Sequence, residues 1–321
     1  MTQLSFIIPA YNSSKYIVRC IESIYNQNLE VNSFEVIVVD DGSTDDTKSI
    51  VENLIADGQH KNLHLISQIN SGPSVARNNG LNVSEGKYVW FVDSDDYIEE
   101  LSISKLISLI NSNEPDILFF ELTQIDVDSK TSRRACSQSL VKNSVISGKE
   151  AIINGFNPAS ACSAIIRRDF LIGNKLYFKH GLYNEDTELM YRAVALSKSV
   201  IFTDFAPYIY ELHQGGRLTS EKPEVLIKRI SDNAIIAKSF YDFSKTVDHE
   251  TGKVIRKKSK SISFGTIWDF YKSKYFSDPS IREPILNVFR RNNQFPLLPP
   301  YNSWKQALAS QFLNLIFCLY R

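Results

Sequence analysis

The chain has 321 residues, of which 43% are hydrophobic and 22% are charged, a composition typical of a soluble globular protein with one or two domains. Residues 1–215 hold 18 basic and 27 acidic side chains, a net charge of −9, whereas residues 216–321 hold 18 and 9, a net charge of +9. The four cysteines are scattered without CxxC or Cys/His spacing, which argues against a zinc site or a disulfide framework, and neither a signal peptide nor a membrane span is evident. We therefore expect a cytoplasmic protein.

Strands and helices alternate along the first part of the chain. Apolar runs at residues 4–9, 34–39, 63–67 and 88–92 predict four strands, and apolar residues at helical spacing predict helices between them. Near-continuous apolar strands between amphipathic helices indicate an α/β fold with a mostly parallel central sheet flanked by helices. Ligands of such sheets bind beyond the carboxyl ends of the strands.

A polar segment follows each predicted strand. These segments are PAYN, DDGSTD, NSGPSVARNNG and DSDD, in chain order. Because the carboxyl ends of parallel strands lie at one edge of a sheet, we expect Tyr11, Asp41, Arg77 and Asp95 to converge on one crevice.

The fourth strand, YVWFV, ends on three carboxylates, Asp93, Asp95 and Asp96. Oxygen ligands clustered in this way suit a hard cation such as Mg²⁺ or Mn²⁺, whose charge offsets their mutual repulsion. The alternative is a solvated aspartate-rich turn that caps the next helix.

Five segments in this order closely resemble those of the family 2 inverting glycosyltransferases with the GT-A fold, most of all the bacterial enzymes of capsule, exopolysaccharide and O-antigen assembly. The segments are SFIIPAYNSSKYI, VIVVDDGSTDDT, NSGPSVARNNGL, GKYVWFVDSDDYI and NEDTELMYRAV. The resemblance implies a Rossmann-like catalytic domain over residues 1–215, with a nucleotide-binding half at 1–110 and an acceptor-side half at 111–215. A basic, helical C-terminal region at 216–321 follows it.

The resemblance also implies which residues bind the nucleotide base. Asp41 matches the residue that accepts the imide N–H of uracil, which implies a UDP-sugar donor. Asp40 belongs to the same acidic pair, although DDGST is equally good as a turn and helix cap. Tyr11 could stack on the base or simply pack under the first helix. The residues placed against the base are Pro9, Ala10, Tyr11 and Asn12.

On the diphosphate side, the resemblance implies that Asp95 is the direct ligand of a divalent cation, Mn²⁺ or Mg²⁺. Asp93 would contact the ribose or metal-bound water, and Asp96 would add charge or orient the loop. The metal would neutralise the departing diphosphate. Arg77 matches a basic residue near the base and diphosphate, where a guanidinium makes paired charge-assisted bonds; a surface arginine is the alternative.

An inverting transfer also needs a base for the proton of the acceptor hydroxyl. By resemblance, Asp186 is that base and Glu185 orients it or binds acceptor hydroxyls, although both residue types are also common in a first helical turn. In the following YIYELHQGGRLT segment, His213 is a candidate metal ligand and Arg217 a candidate diphosphate ligand on a closing loop. This segment departs from the family's tyrosine-arginine-serine pattern.

The last hundred residues have helical periodicity, over residues 225–243 and 262–275, and a basic cluster precedes the second stretch. A basic, aromatic-rich amphipathic helix suits an anionic membrane surface, and docking on the catalytic core or on a second subunit of a homo-oligomer is the alternative. No nucleic-acid-binding module is recognisable. The apolar face of the final segment comprises Trp304, Leu308, Phe312, Leu315, Ile316 and Leu319.

Together these features predict a metal-dependent inverting hexosyl- or N-acetylhexosaminyltransferase. It would move sugar from a UDP-sugar to a hydroxyl of a growing surface glycan, carried on a polyprenyl diphosphate lipid, at the inner face of the cell membrane. A sugar nucleotidyltransferase and a catalytically silent sugar-nucleotide binding module are the alternatives.

Overall fold

A computed structural model of the chain describes residues 2–126, 128, 130–157, 160–212, 222–298 and 304–319. These residues form two compact units, one containing residues up to 181 together with 185–212, and the other containing 182–184 together with the described residues from 222 onward.

The first unit is built from strands and short helices. Its strands are β1 (Leu4–Ala10), β2 (Phe34–Asp40), β3 (Leu63–Ser67), β4 (Tyr88–Phe91), β5 (Tyr97–Ile98), β6 (Ile117–Phe119), β7 (Leu122–Asp126), β8 (Thr131–Ala135), β9 (Val145–Ile146), β10 (Ala164–Arg167), β11 (Val200–Phe202) and β12 (Tyr208–Leu212). Its helices are α1 (Ile17–Tyr25), α2 (Thr47–Ala56), α3 (Pro73–Val83), α4 (Ser104–Asn113), α5 (Gly148–Ile153), α6 (Arg168–Gly173) and α7 (Glu185–Leu196). Short 3₁₀ turns occupy Val31–Ser33 and Ala161–Ser163.

Eight strands form the central sheet, in the order β3-β2-β1-β4-β10-β6-β11-β9. The first four are mutually parallel, as the apolar runs predict, and their side chains in β1, β2 and β4 are buried because helices cover both faces. Strand β10 is antiparallel to β4 and β6, so the second half of the sheet is mixed. In the register, Ala10 pairs with Asp40 and Asp40 pairs with Ser67, which brings three predicted polar segments to one edge.

A second sheet has the order β5-β12-β7-β8. Strand β5 directly follows the DSDD segment, and it pairs antiparallel with β12, where Tyr208 lies opposite Ile98. The sequence did not predict this sheet, because β5 has only two residues and no periodicity of its own. As a result, strand β12, which is more than a hundred residues further along the chain, lies beside the carboxylates of the DSDD segment.

The turn after β2 depends on a glycine. Gly42 has φ +73°, and a Cβ at this position would lie 2.9 Å from the backbone nitrogen of Asn70 and 3.2 Å from the carbonyl oxygen of Gln68. Only a residue without a side chain fits both this conformation and this close approach. The loops after β2 and β3 are thereby held side by side at the carboxyl edge of the sheet.

The second unit is helical, as the periodicity predicts. Its helices are α8 (Pro223–Phe243), α9 (His249–Lys272), α10 (Pro279–Arg291) and α11 (Trp304–Leu319), with a 3₁₀ turn at Lys274–Ser277. The basic cluster lies within α9 and does not precede a helix, because Lys and Arg are good helix formers and Asp248 caps the helix earlier. Phe270, Ile285, Phe289 and Leu313 are among its buried core residues.

Among the helices of the described ranges, none combines the length and apolarity that a membrane-spanning segment requires.

Close packing of α5 against the end of α7 gives a test of the fold. A Cβ on Gly148 would lie 1.7 Å from the carbonyl oxygen of Val194 and 2.4 Å from Ser197 Oγ. We expect Gly148→Ala to lower the free energy of unfolding by about 1 to 3 kcal/mol or more, because backbone must shift to admit the methyl group. Thermal unfolding measures this loss. Gly173→Ala is the control, since a Cβ there meets no atom within 4 Å; equal melting temperatures for the two variants would contradict the packing.

Candidate active site

The end of β1 is fastened to the loop after β2 through Asn12. This residue has φ +52°, its backbone N–H donates to Ser43 Oγ at 3.0 Å, and its Oδ1 accepts the N–H of Thr44 at 2.8 Å. Pro9 and Ala10 are buried at the end of the strand and shape this turn. The amide predicted to contact the base is thus used, at least in part, to fix the loop.

The neighbouring Tyr11 side chain is 49% exposed, an unusual position for a large aromatic ring. The alternative in which it packs under the first helix does not describe a ring with half its surface in solvent. It is therefore available to stack on a planar ligand at this edge of the sheet.

Asp41 joins β2 to the loop before α3. Its Oδ1 accepts hydrogen bonds from Gln68 Nε2 and from the N–H of Ser71, both at 2.7 Å, and its Oδ2 accepts the N–H of Gly72 at 2.8 Å. The side chain is 3% exposed. A carboxylate oxygen can accept two hydrogen bonds, so Oδ2 keeps the capacity to accept one N–H from a ligand.

Asp40 is also buried, and its Oδ1 accepts the N–H of Ser43 at 3.2 Å. This contact is the one expected of an aspartate that stabilises the DDGST turn. The two members of the acidic pair therefore hold different loops.

Asp96 is the buried member of the DSDD segment, with 1% of its surface exposed. Tyr208 Oη donates to its Oδ2 at 2.7 Å, and the N–H of Glu211 donates to its Oδ1 at 3.1 Å. The same Tyr208 Oη accepts the N–H of Asp93 at 3.0 Å. Burial, reinforced by the charges of Asp93 and Asp95, raises the pKa of Asp96 well above its usual range. Asp96 thus orients the loop that presents the other two carboxylates.

Arg77 lies between the DSDD loop and the start of α7. Its Nη2 donates to Asp93 Oδ1 at 2.6 Å and its Nη1 donates to Glu185 Oε1 at 2.9 Å, while Asp186 Oδ1 is 3.8 Å from Nη1. The residue is 5% exposed, and its guanidinium carbon is 5.2 Å from the centroid of the Phe178 ring. Burial acts to lower the pKa of Arg77, but the surrounding carboxylates raise it well above its usual value. The structure therefore places this arginine among carboxylates.

Asp186, in the first turn of α7, has two differently placed oxygens. Oδ2 accepts hydrogen bonds from Ser160 Oγ and from the N–H of Ala161, both at 3.0 Å, whereas Oδ1 is buried and has no hydrogen-bond partner among the described residues. Burial raises the pKa of Asp186 to about 6, with Arg77 opposing the shift and Glu185 adding to it. A fixed carboxylate with one unpaired oxygen and a pKa near neutrality is suited to accept a proton.

The carboxylates fit a metal only in part. Across the described ranges, no group of three or more His, Cys, Asp or Glu side chains is arranged to hold a metal ion. The Asp93 side chain is 31% exposed, and the Arg77 guanidinium binds its Oδ1. Mg²⁺ usually keeps water ligands and is held by one or two carboxylates plus substrate phosphates, so Asp93 and Asp95 fit a cation that binds together with a diphosphate. His213 and Arg217 lie outside the described residues.

Sequence reasoning missed two residues that fix the site. Tyr208 and Ser160 come from distant segments and carry no local motif, so only their hydrogen bonds to the carboxylates identify them. Asp232, on α8, accepts the N–H of Tyr183 at 2.7 Å in the turn that precedes α7. In that turn Asn184 has φ +62°.

A mostly parallel sheet that gathers an exposed aromatic ring and several carboxylates at its carboxyl edge is the arrangement of an enzyme with the GT-A fold. The model of the family described as "Glycosyl transferase family 2" matches residues 5–172, more than half of the chain. The chain belongs to this glycosyltransferase family, as its motifs predict.

Several bacterial glycosyltransferases are similar in sequence. Glycosyltransferase GlyG of Streptococcus pneumoniae serotype 4 is 27% identical over 71% of this chain and 80% of its own length. The poly(ribitol-phosphate) beta-N-acetylglucosaminyltransferase TarS of Staphylococcus aureus strain MW2 is 31% identical over 68% of this chain, but the match spans only 37% of TarS. The GalNAc(5)-diNAcBac-PP-undecaprenol beta-1,3-glucosyltransferase of Campylobacter jejuni is 33% identical over 49% of this chain and 50% of that enzyme.

Solved structures confirm the fold, including the helical C-terminal region. Residues 1–349 of S. aureus TarS, in complex with UDP-GlcNAc, align with a TM-score of 0.71 and 26% identity over 91% of this chain and 81% of that chain. The mannosyltransferase PcManGT of Pyrobaculum calidifontis, in complex with GDP-Man and Mn²⁺, aligns with a TM-score of 0.59 over 98% of this chain and 87% of that chain. At 17% identity, the latter supports the fold alone.

The raised pKa of Asp186 predicts a pH-dependent stability. The folded chain holds the Asp186 proton up to about pH 6, whereas an unfolded aspartate releases it near pH 4, so the folded state binds more protons between these values. Stability contributed by the protonated form is therefore lost as the pH rises through this window, by about 2 to 3 kcal/mol. Denaturant unfolding of wild type and Asp186→Asn from pH 4 to 8 measures the difference.

We expect Asp186→Asn to become progressively more stable than wild type as the pH rises. Asp169→Asn is the control, because that side chain is 91% exposed. A wild-type and Asp186→Asn difference that is constant with pH would show that burial does not raise this pKa.

Proposed function

We propose that this chain is a metal-dependent inverting glycosyltransferase that moves a hexosyl or N-acetylhexosaminyl group from a UDP-sugar to a hydroxyl of a glycan acceptor. The observation that carries the proposal is the placement of Asp186 at the start of α7: its Oδ1 accepts no hydrogen bond among the described residues and lies 3.8 Å from Arg77 Nη1, and the same guanidinium binds Asp93 of the DSDD loop. The similarity to TarS in complex with UDP-GlcNAc supports a uridine donor.

The donor base would bind at the ends of β1 and β2. The half-exposed Tyr11 ring supplies a stacking surface, worth about 1 to 3 kcal/mol for a base on an aromatic side chain. Asp41 Oδ2 has room for one further N–H, which uracil can donate through its imide and which cytosine lacks at that position. The hydrogen bonds that fix Asp41 and Asn12 keep both groups in place before the donor arrives.

Asp95 and Asp93 would hold Mn²⁺ or Mg²⁺ against the donor diphosphate, with His213 as a further ligand and Arg217 on the phosphates. Such a cation stabilises the negative charge that develops on the leaving UDP. Asp96 supports both carboxylates by fixing the loop through Tyr208.

Asp186 would remove the proton of the acceptor hydroxyl as its oxygen attacks the anomeric carbon. The new C–O bond forms on the face opposite the departing UDP, so the bond to the diphosphate breaks and the configuration inverts. With a pKa of about 6, Asp186 is mostly ionised at neutral pH and can accept this proton. Glu185 orients the site by pairing with Arg77.

The acceptor would be a growing bacterial surface glycan carried on a polyprenyl diphosphate. Support comes from the relatives named above, one of which is named for a PP-undecaprenol acceptor. A nucleotidyltransferase would instead release diphosphate from a nucleoside triphosphate, and a silent binding module would bind donor without turnover.

Screening UDP-sugars with Mn²⁺ or Mg²⁺ for donor hydrolysis and transfer tests the reaction. We expect Asp186→Asn to abolish transfer while UDP affinity stays within about threefold, because the carboxamide cannot accept a proton at neutral pH. Asp95→Ala should instead weaken metal-dependent donor binding and leave uridine affinity intact. Asp169→Asn is the matched exposed control. Transfer by Asp186→Asn at the wild-type rate would rule out this base.

We also propose that α11 rests on an anionic membrane surface. One face of this helix packs in the core of the second unit, where Leu313 and Phe317 are buried. The opposite face is apolar as well, yet it is exposed, with 69% exposure at Trp304 and Leu315 and 56% at Leu308. At 16 residues, about 24 Å, the helix is shorter than the ~30 Å hydrocarbon core, so it suits an in-plane position.

The charges near this face favour an anionic partner over a second copy of the chain. The helix contains Lys305 and no acidic residue. Phe312, on the exposed side of the helix, contacts the Tyr271 ring, and Lys272 follows Tyr271 in the sequence. Two such basic surfaces would repel each other, whereas a bilayer rich in anionic lipid attracts them.

Vesicle co-sedimentation tests the surface. The wild-type chain should bind phosphatidylglycerol vesicles better than phosphatidylcholine vesicles, and Leu308→Ser with Leu315→Ser should reduce binding about tenfold or more through the loss of buried apolar area. Leu101→Ser, 60% exposed in the first unit, is the control. Equal vesicle binding by the double variant, or a dimer in light scattering that the double variant dissociates, would contradict the proposal.

A further inference from the structure

We propose that Arg77 is a positioning residue that holds the donor-side carboxylate Asp93 and the base-side carboxylate Glu185 in one network, and that it does not bind the donor diphosphate. This inference rests on the proposed function, and it changes the role that sequence resemblance implies for Arg77.

The geometry leaves the guanidinium little capacity for a phosphate. Nη2 is 2.6 Å from Asp93 Oδ1 and Nη1 is 2.9 Å from Glu185 Oε1, so each terminal nitrogen already donates to a carboxylate. The remaining nitrogen, Nε, is buried without a hydrogen-bond partner among the described residues. Phe178 lies against the guanidinium, and only 5% of the residue is exposed.

Arg77 lies in helix α3, and hydrogen bonds hold this helix on both sides of Arg77 in the sequence. Its N-terminus is held where the N–H of Gly72 donates to Asp41. Six residues later, Asn78 exchanges two hydrogen bonds with the backbone of Phe178, at 2.8 and 2.9 Å, and so holds the residue whose ring packs on Arg77. The same helix therefore links the proposed base-recognition residue to the carboxylate network.

Electrostatics explains why a cation is needed at this point. The charges of Glu185 and Asp93 add to the burial that raises the pKa of Asp186, and the Arg77 guanidinium, bonded to Glu185 and Asp93 and 3.8 Å from Asp186, opposes that effect. Its two fixed donors also set the distance between the DSDD loop and the start of α7. A lysine could not do this, because a compact ammonium lacks the planar fork that reaches two carboxylates at once.

Binding and kinetics of Arg77→Met and Arg77→Lys test the assignment. We expect kcat for transfer to fall 100-fold or more in both variants, while uridine and Mn²⁺–UDP affinities stay within about fivefold of wild type. Without nucleotide, Mn²⁺ should bind Arg77→Met several-fold more tightly, because Asp93 and Glu185 lose their counter-ion. A 100-fold loss of UDP affinity with unchanged uridine and Mn²⁺ affinity would instead make Arg77 a diphosphate ligand and overturn the proposal.

A double variant guards against simple unfolding. Removing Arg77 leaves buried charges unpaired, so Arg77→Met should lower the melting temperature, and adding Glu185→Gln should recover part of that loss because it removes one of those charges. Additive losses would show that the two residues do not act as a pair. These binding and melting measurements need no turnover, so absence of transfer by the wild-type chain on every UDP-sugar would count against the proposed function alone.

Discussion

The constraint on which this site depends is the crowding of carboxylates at the carboxyl edge of one sheet. Carboxylates in a poorly solvated crevice repel one another, and each needs a donor, a counter-ion or a proton. The fold stabilises each of these carboxylates with a different partner. Asp41 receives three N–H donors, Asp96 receives the Tyr208 hydroxyl, and Asp93 shares the Arg77 guanidinium with Glu185.

Asp186 is the member of the set that the fold satisfies least. Ser160 and Ala161 bind one of its oxygens, but the other is buried without a hydrogen bond among the described residues, and the pKa of Asp186 is raised to about 6. A carboxylate that is poorly stabilised as an anion lowers the stability of the fold, and the same feature would suit the base proposed for the transfer. The neighbouring carboxylates have partners, Glu185 with Arg77 among them, so the unfavourable free energy is confined to Asp186.

The parts of the fold that sequence reasoning predicted are those with local signals. The parallel strands β1 to β4 are continuous apolar runs, and a polar loop follows each one, so their order and their shared edge could be inferred. The contacts that organise the site are not local: Tyr208 meets Asp96 across 112 positions, and Arg77 meets Glu185 across 108. No periodicity records such pairs, which is why Arg77 was expected beside phosphates and Tyr208 was not singled out.

In the helical C-terminal unit, too, the sequence did not predict how the helices pack. Helical periodicity predicted α8, the second half of α9 and α11, but not α10; α11 is apolar on two faces, and sequence alone does not show which face the core covers. A buried polar contact in this unit also escaped prediction: Asp232 on α8 accepts the N–H of Tyr183 and pairs with Lys228. Tyr183 and Asp232 are 49 positions apart, so no local sequence pattern marks this contact, and only the packing of the helical unit brings the two residues together.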